Sequence, residues 1–113
     1  MEVQGKDEGG ITIISPIGRI DTSTAKMFEE GVSKFVKDQG QQVVISFASI
    51  DYISSAGLRV IVMTGKKLSS LKGKLALIDM APKIQEVFKM SGFDKIIKIC
   101  PTLQDAKTEF GAA

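Results

Sequence analysis

The chain of 113 residues has no histidine. That removes the usual general base near neutral pH and the commonest metal ligand. It has one cysteine, Cys100, so an internal disulfide is excluded and nothing indicates an oxidising compartment. Cys100 is read as a small apolar residue ending a strand. The longest purely apolar runs are a few residues, far short of the roughly 20 that span a bilayer as a helix. The N-terminal stretch Met1-Glu2-Val3-Gln4-Gly5-Lys6-Asp7 lacks the basic-then-apolar order of a secretory signal. Strong charge of one sign is missing too. A net charge of +2 does not point to nucleic acid, which favours a clustered basic face. The obvious basic pair, Lys66-Lys67, lies in a helical pattern and reads as a solvated face. The expectation is a cytoplasmic protein with neither nucleic acid nor membrane as partner.

What remains is an ordinary globular balance, 43% hydrophobic and 25% charged residues. The length suits one domain with one proper core, residues 1–113. Along the chain, strands and helices alternate. Ile11-Thr12-Ile13-Ile14 reads as a strand, and Gly9-Gly10 before it as a turn, giving a hairpin with residues 2–6. Pro16 and Gly18 imply an irregular or edge continuation to Ile20. Asp21-Thr22-Ser23-Thr24 is rich in capping side chains. Phe28, Val32, Phe35 and Val36 then recur at helical spacing, and Gly40 ends that helix. Residues 42–47 form the most hydrophobic strand, expected to be buried on both faces.

A long helix runs from Ala56 to about Leu71, followed by a strand over 74–78. Pro82 opens a third helix through Ile84, Val87 and Phe88, stopped at Gly92. Residues 95–99 read as a last short strand. Thr102-Leu103-Gln104-Asp105 resembles a capping-box start, with Asp where Glu or Gln is usual, and a final helix carries Leu103, Ala106 and Phe110. The five methionines share no helical spacing and read as core filler. This order argues for an α/β fold, a mixed sheet of about four or five strands with helices packed on it.

The search for catalytic chemistry is mostly negative. Neither common glycine-rich phosphate loop is present. Metal-ligand spacing is absent. A serine nucleophile needs a base in reach, and no supporting constellation accompanies Ser54 or Ser55; the Gly-x-Ser-x-Gly elbow of hydrolases is also missing. Glu29-Glu30 lie side by side on a helix, face different ways and read as solvated surface. Catalytic, cofactor-binding and metal residues are therefore expected to be none.

The informative stretch is Asp51-Tyr52-Ile53-Ser54-Ser55-Ala56-Gly57-Leu58-Arg59-Val60. Two hydroxyls stand where a strand-like run becomes a helix. The first N–H groups of a helix lack partners within it and carry partial positive charge. A hydroxyl there can cap the helix, and a phosphate there is electrostatically favoured. Ser54 and Ser55 are thus either a plain helix start or a chemical switch. Gly57 has two readings: a close neighbour inside the fold, or approach of a partner's backbone. Asp21 either caps the first helix or faces a partner, and both can hold. Arg59 is an exposed charge or a contact to an acidic partner surface.

Three motifs make the chain resemble a single STAS domain of the bacterial anti-sigma factor antagonist family. Gly18-Arg19-Ile20-Asp21 resembles the family's Gly-x-Leu/Ile-Asp. Tyr52-Ile53-Ser54-Ser55-Ala56-Gly57-Leu58 resembles its phosphorylation loop. Val87-Phe88-Lys89-Met90-Ser91-Gly92-Phe93-Asp94-Lys95-Ile96-Ile97 resembles the ending of its third helix. The resemblance implies binding to an anti-sigma factor that is also a serine kinase of the histidine-kinase-like ATPase fold, which frees the sigma factor. It further implies phosphorylation of one loop serine, release, and resetting by a PP2C-type phosphatase. The implied acceptor is Ser55, directly before Ala56-Gly57, with Ser54 as second choice; Ser54 stands where many relatives have Asp. The implied partner contacts are Asp21, Thr22, Ser54, Ala56, Gly57, Leu58 and Arg59, and Asp21, Ser54, Ser55, Gly57 and Arg59 are expected to form one exposed patch. The alternative is a scaffold or transport-associated STAS domain that binds protein or a small ligand without a phosphorylation cycle.

Overall fold

Gly9 and Gly10 take left-handed backbone angles (φ 58° and 85°) that side chains rarely tolerate. They fold β1 (Glu2–Glu8) back onto β2 (Ile11–Ile20) as an antiparallel hairpin. The computed structural model describes residues 1–111. After β2 come α1 (Ala25–Ser33), β3 (Gln42–Ser46), β4 (Ile50–Ile53), α2 (Ser55–Ser70), β5 (Lys74–Ile78), α3 (Pro82–Ser91), a single 3-10 turn (Phe93–Lys95), β6 (Lys98–Cys100) and α4 (Leu103–Glu109). The strands form one mixed sheet in the order β1-β2-β3-β5-β6, with β4 also paired to β2. Every pairing except the hairpin is parallel.

The period-2 alternation of the strands divides the core between two faces. Ile14, Val43, Ile45 and Leu77 join Phe28 and Val32 of α1, Ile61 and Leu68 of α2, and Ile84 and Phe88 of α3. Ile11, Ile13, Val44, Ala76, Ile78 and Cys100 lie in a second cluster with Ala106 and Phe110 at α4. Val44, Ile61 and Phe88 are fully buried. The Phe47 and Phe88 rings meet edge to face, with centroids 5.9 Å apart, and tie the end of β3 to α3. Burial of Cys100 pushes its thiol pKa up, as suits a residue that serves only as core. Thr102 caps α4 by accepting the Asp105 N–H at 3.2 Å and donates its hydroxyl to the Asp105 carboxylate at 2.9 Å. Among the described residues no helix is long and apolar enough to cross a membrane.

The last strand, expected over 95–99, is β6 at Lys98–Cys100, with the 3-10 turn Phe93–Lys95 before it; four further details differ from the sequence reading. First, of the two readings given to Pro16–Ile20, the irregular one holds and the edge one does not. β2 lies between β1 on one flank and β3 followed by β4 on the other. Its pairing to β3 stops at Ile14 and its pairing to β4 starts at Gly18, with a register shift between Gly18 and Arg19. Pro16, which cannot donate to a ladder, falls in the gap on that flank. Second, α1 ends at Ser33 rather than continuing to Gly40. Phe35 leaves the helix to cover Gly5 of β1, where a Cβ would stand 2.5 Å from its ring. Third, β4 is a strand, although its stretch carries no alternation. Fourth, the methionines are not all core filler: Met27, Met63 and Met90 are 48%, 51% and 80% exposed, while Met80 is buried.

Candidate functional site

β2 and β4 run parallel, so the two loops that follow them emerge at the same end of the sheet, where binding sites of open parallel sheets form. The loops are joined by the backbone itself: the Ser54 N–H donates to the Ile20 carbonyl at 2.7 Å. Beneath them, α2 crosses the ends of both strands at Gly57. A Cβ at this position would stand 2.5 Å from Ile20 Cγ2 and 2.8 Å from Ile53 Cγ1. Ile20 and Ile53 are 0% and 3% exposed, and burying such a side chain contributes about 1.5–3 kcal/mol. Gly57 therefore lets the helix start sit directly on the two strand ends. Of its two readings, the close internal neighbour is present. Gly57 and Leu58 are both buried, which corrects the expectation of an exposed patch that includes Gly57. Leu58 packs into the core face of α2.

The two serines have different environments. Ser54 is the N-cap of α2, in extended conformation, and its Oγ accepts the Gly57 N–H at 3.3 Å. It is half-buried. Ser55 is the first residue of α2 and is exposed. Its hydroxyl makes no hydrogen bond among the described residues. Ala56, next in line, is half-buried, and Arg59 is exposed.

The Asp21 loop is tied together by its own side chains. Asp21 Oδ1 accepts the Ser23 N–H at 2.9 Å, the Ser23 hydroxyl at 2.6 Å and the Thr24 N–H at 3.1 Å. The Thr24 hydroxyl donates to the Arg19 carbonyl at 2.7 Å and accepts the Asp21 N–H at 2.9 Å. Asp21 Oδ2 pairs with Arg19 Nε at 3.4 Å. The Ser23 hydroxyl above all, then the Ser23 and Thr24 amides and Arg19, hold the Asp21 pKa down to about 2, against partial desolvation that pushes it up. Thr22 is exposed at the crest of this loop, while Asp21 is half-buried.

The sequence reading passed over two residues here. The Arg19 guanidinium lies 4.3 Å from the centroid of the Tyr52 ring, a cation–π stack across the β2–β4 pair, where Arg19 and Tyr52 are Cα partners. Tyr52 is 41% exposed. The signal available in the sequence was that each precedes its loop by two residues, Arg19 before Asp21 and Tyr52 before Ser54. Arg19, Thr22, Ser23, Tyr52 and Ser55 are thus exposed at this end of the sheet, with Asp21 and Ser54 half-buried among them, and Arg59 is exposed one turn further along α2. Among the described residues no group of His, Cys, Asp and Glu could hold a metal ion.

The mixed sheet with its hairpin edge and packed helices is the fold of a known class of domain. The chain belongs to the STAS domain family, whose pattern matches residues 2–106. It is 33% identical over 104 residues to BtrV of Bordetella bronchiseptica, provisionally named an anti-sigma factor antagonist, covering 92% of this chain and 90% of that protein. It is 28% identical over 102 residues to RsfB of Mycobacterium tuberculosis, named an anti-sigma-F factor antagonist, covering 90% of this chain and 83% of RsfB. The crystal structure of an anti-sigma factor antagonist from Mycobacterium paratuberculosis superposes with a TM-score of 0.85 at 28% identity, over 96% of this chain and 92% of that one.

Proposed function

We propose that this protein is an anti-sigma factor antagonist in a partner-switching cascade. Its unphosphorylated form binds an anti-sigma factor that is also a serine kinase of the histidine-kinase-like ATPase fold, and so releases that factor's target. The kinase transfers the γ-phosphoryl of ATP to Ser55 Oγ, which loses its proton as ADP leaves, and the modified protein lets go. A PP2C-type phosphatase resets the cycle in the cytoplasm. The partner surface comprises Asp21, Thr22, Ser54, Ala56 and Arg59 around Ser55.

One observation carries the choice of acceptor. Of two adjacent hydroxyls, that of Ser54 is engaged as the helix cap, and that of Ser55 is exposed and makes no hydrogen bond among the described residues. A kinase can take the second without undoing the start of α2. A phosphate brings about −1.5 to −2 charges and three acceptor oxygens. At a helix N-terminus that charge is tolerated, so the domain stays folded and the switch acts at the interface by charge and bulk.

The assignment is tested by incubation with the cognate kinase and ATP, then fragmentation mass spectrometry. Phosphate on Ser55, lost in Ser55→Ala, is the expected result. Phosphate found only on Ser54, or persisting stoichiometrically in Ser55→Ala, sinks the assignment. No ATP-dependent mass shift at all favours a scaffold without a phosphorylation cycle. Ser55→Asp is expected to weaken kinase binding in a calorimetric titration while its circular dichroism stays that of the parent.

A further inference from the structure

α2 contains no acidic residue; its charged side chains are Arg59, Lys66 and Lys67, all exposed. None of the three forms an ion pair among the described residues. Arg59 stands four residues after Ser55, and both lie on the solvent side of the helix. Residues at this spacing are surface neighbours one turn apart, roughly 5–6 Å between Cβ atoms, within reach of a long guanidinium. Arg19 near the same loops is already committed, to the Asp21 carboxylate on one side and the Tyr52 ring on the other. Arg59 is therefore the unengaged guanidinium beside the unengaged hydroxyl.

We propose that Arg59 is the internal counter-ion and hydrogen-bond donor to a phosphate on Ser55. Modification closes an intrahelical ion pair that withdraws the guanidinium from the partner surface. The inference rests on Ser55 being the phosphorylated residue. An Arg and a phosphate pair through two parallel N–H···O bonds, and no acid on α2 competes for Arg59. The switch then changes the surface twice in one step. A dianion appears at the first turn of α2, and the cation one turn on ceases to be available to an acidic partner group. A carboxylate at position 55 has one charge and two oxygens, so Ser55→Asp reproduces only part of this change.

The test installs phosphoserine at position 55 by genetic encoding and follows the phosphate by phosphorus NMR as pH is varied. In Arg59→Gln the second phosphate pKa is expected to rise by roughly 0.3 unit, the size of an i,i+4 ion pair. Arg59→Lys is expected to restore part of the shift, and Arg19→Gln to leave the phosphate titration where it is. The Arg59 Nε–H signal of the parent is expected to move on phosphorylation. Gln is a good helix former, and circular dichroism checks that Arg59→Gln remains folded. The same phosphate pKa in the parent and Arg59→Gln, or a shift confined to Arg19→Gln, overturns the proposal. Because the phosphate is placed without a kinase, the two readings fail separately. A kinase that ignores Ser55 defeats the functional assignment, and an unmoved titration defeats the role of Arg59.

Discussion

The two loops at the carboxyl ends of β2 and β4 are neighbours, joined by the Ser54–Ile20 backbone bond, yet their polar groups are arranged differently. In the Asp21–Thr24 loop the carboxylate and the Thr24 hydroxyl are bonded within the loop or to the strand before it. In the Ser54–Ser55 loop one hydroxyl caps the helix and the next faces solvent. A loop whose polar groups are satisfied internally holds its shape and can present a fixed surface. A loop with an unengaged nucleophile atom can be modified without first breaking anything. The first suits recognition and the second suits switching, and the sheet sets them side by side.

Both loops depend on the packing under them, so the largest effect is expected from filling the space at Gly57. Gly57→Ala places a methyl group against Ile20 and Ile53, which lie at the ends of β2 and β4. Overpacking of a well-filled core costs about 1–3 kcal/mol, and the helix propensity gained from Ala, up to about 1 kcal/mol, does not offset that fully. Urea denaturation is expected to show the loss. Parent-like stability in Gly57→Ala would mean that the helix start can move away from the strand ends, and the two loops would not be held as one surface.

A smaller effect separates the two serines. Ser54→Ala removes the cap and is expected to destabilise the fold by about 0.5–2 kcal/mol. Ser55→Ala removes an exposed hydroxyl that makes no hydrogen bond among the described residues and is expected to stay within about 0.5 kcal/mol of the parent. Thermal unfolding of the two variants is the check. Equal losses would erase the distinction on which the choice of acceptor rests.

The sequence showed some of this and hid the rest for physical reasons. The order of strands and helices was legible because most elements carry a clear period, and the hairpin because two glycines marked its turn. The start of α2 was legible because hydroxyl residues precede an apolar helical run. β4 was not, because it is four residues long with its two ends buried and its two central residues exposed, the i, i+3 spacing of a helix face rather than the alternation of a strand. The end of α1 was hidden because Phe35 continues the helical spacing, while its actual position follows from bare backbone at Gly5 on a distant strand. At the site, the serine pair and Asp21 stood out as residue types. Which serine serves as cap depends on one hydrogen bond to Gly57. The Arg19–Tyr52 stack depends on β2 and β4 being adjacent, which no local pattern announces.

The smallest expected effect concerns acid. The Asp21 carboxyl has a pKa of about 2 in the fold, against about 3.9 in an unfolded chain. The folded state thus holds the proton more weakly than the unfolded state. The contribution of this group is fully present above about pH 4 and is lost as pH falls through about 2. Asp21→Asn keeps the shape of the side chain and removes the charge. Its melting temperature is expected to lie below the parent's at about pH 5, with the gap closing as both are taken down to about pH 2, because protonation makes the parent resemble the variant. The gap should be small, since Arg19 is 58% exposed on its side of the pair and water screens it. A gap that stays constant across this range would show that the ionised form of Asp21 does not hold its loop. The contrast between a fixed loop and a modifiable one would then fail on its fixed side.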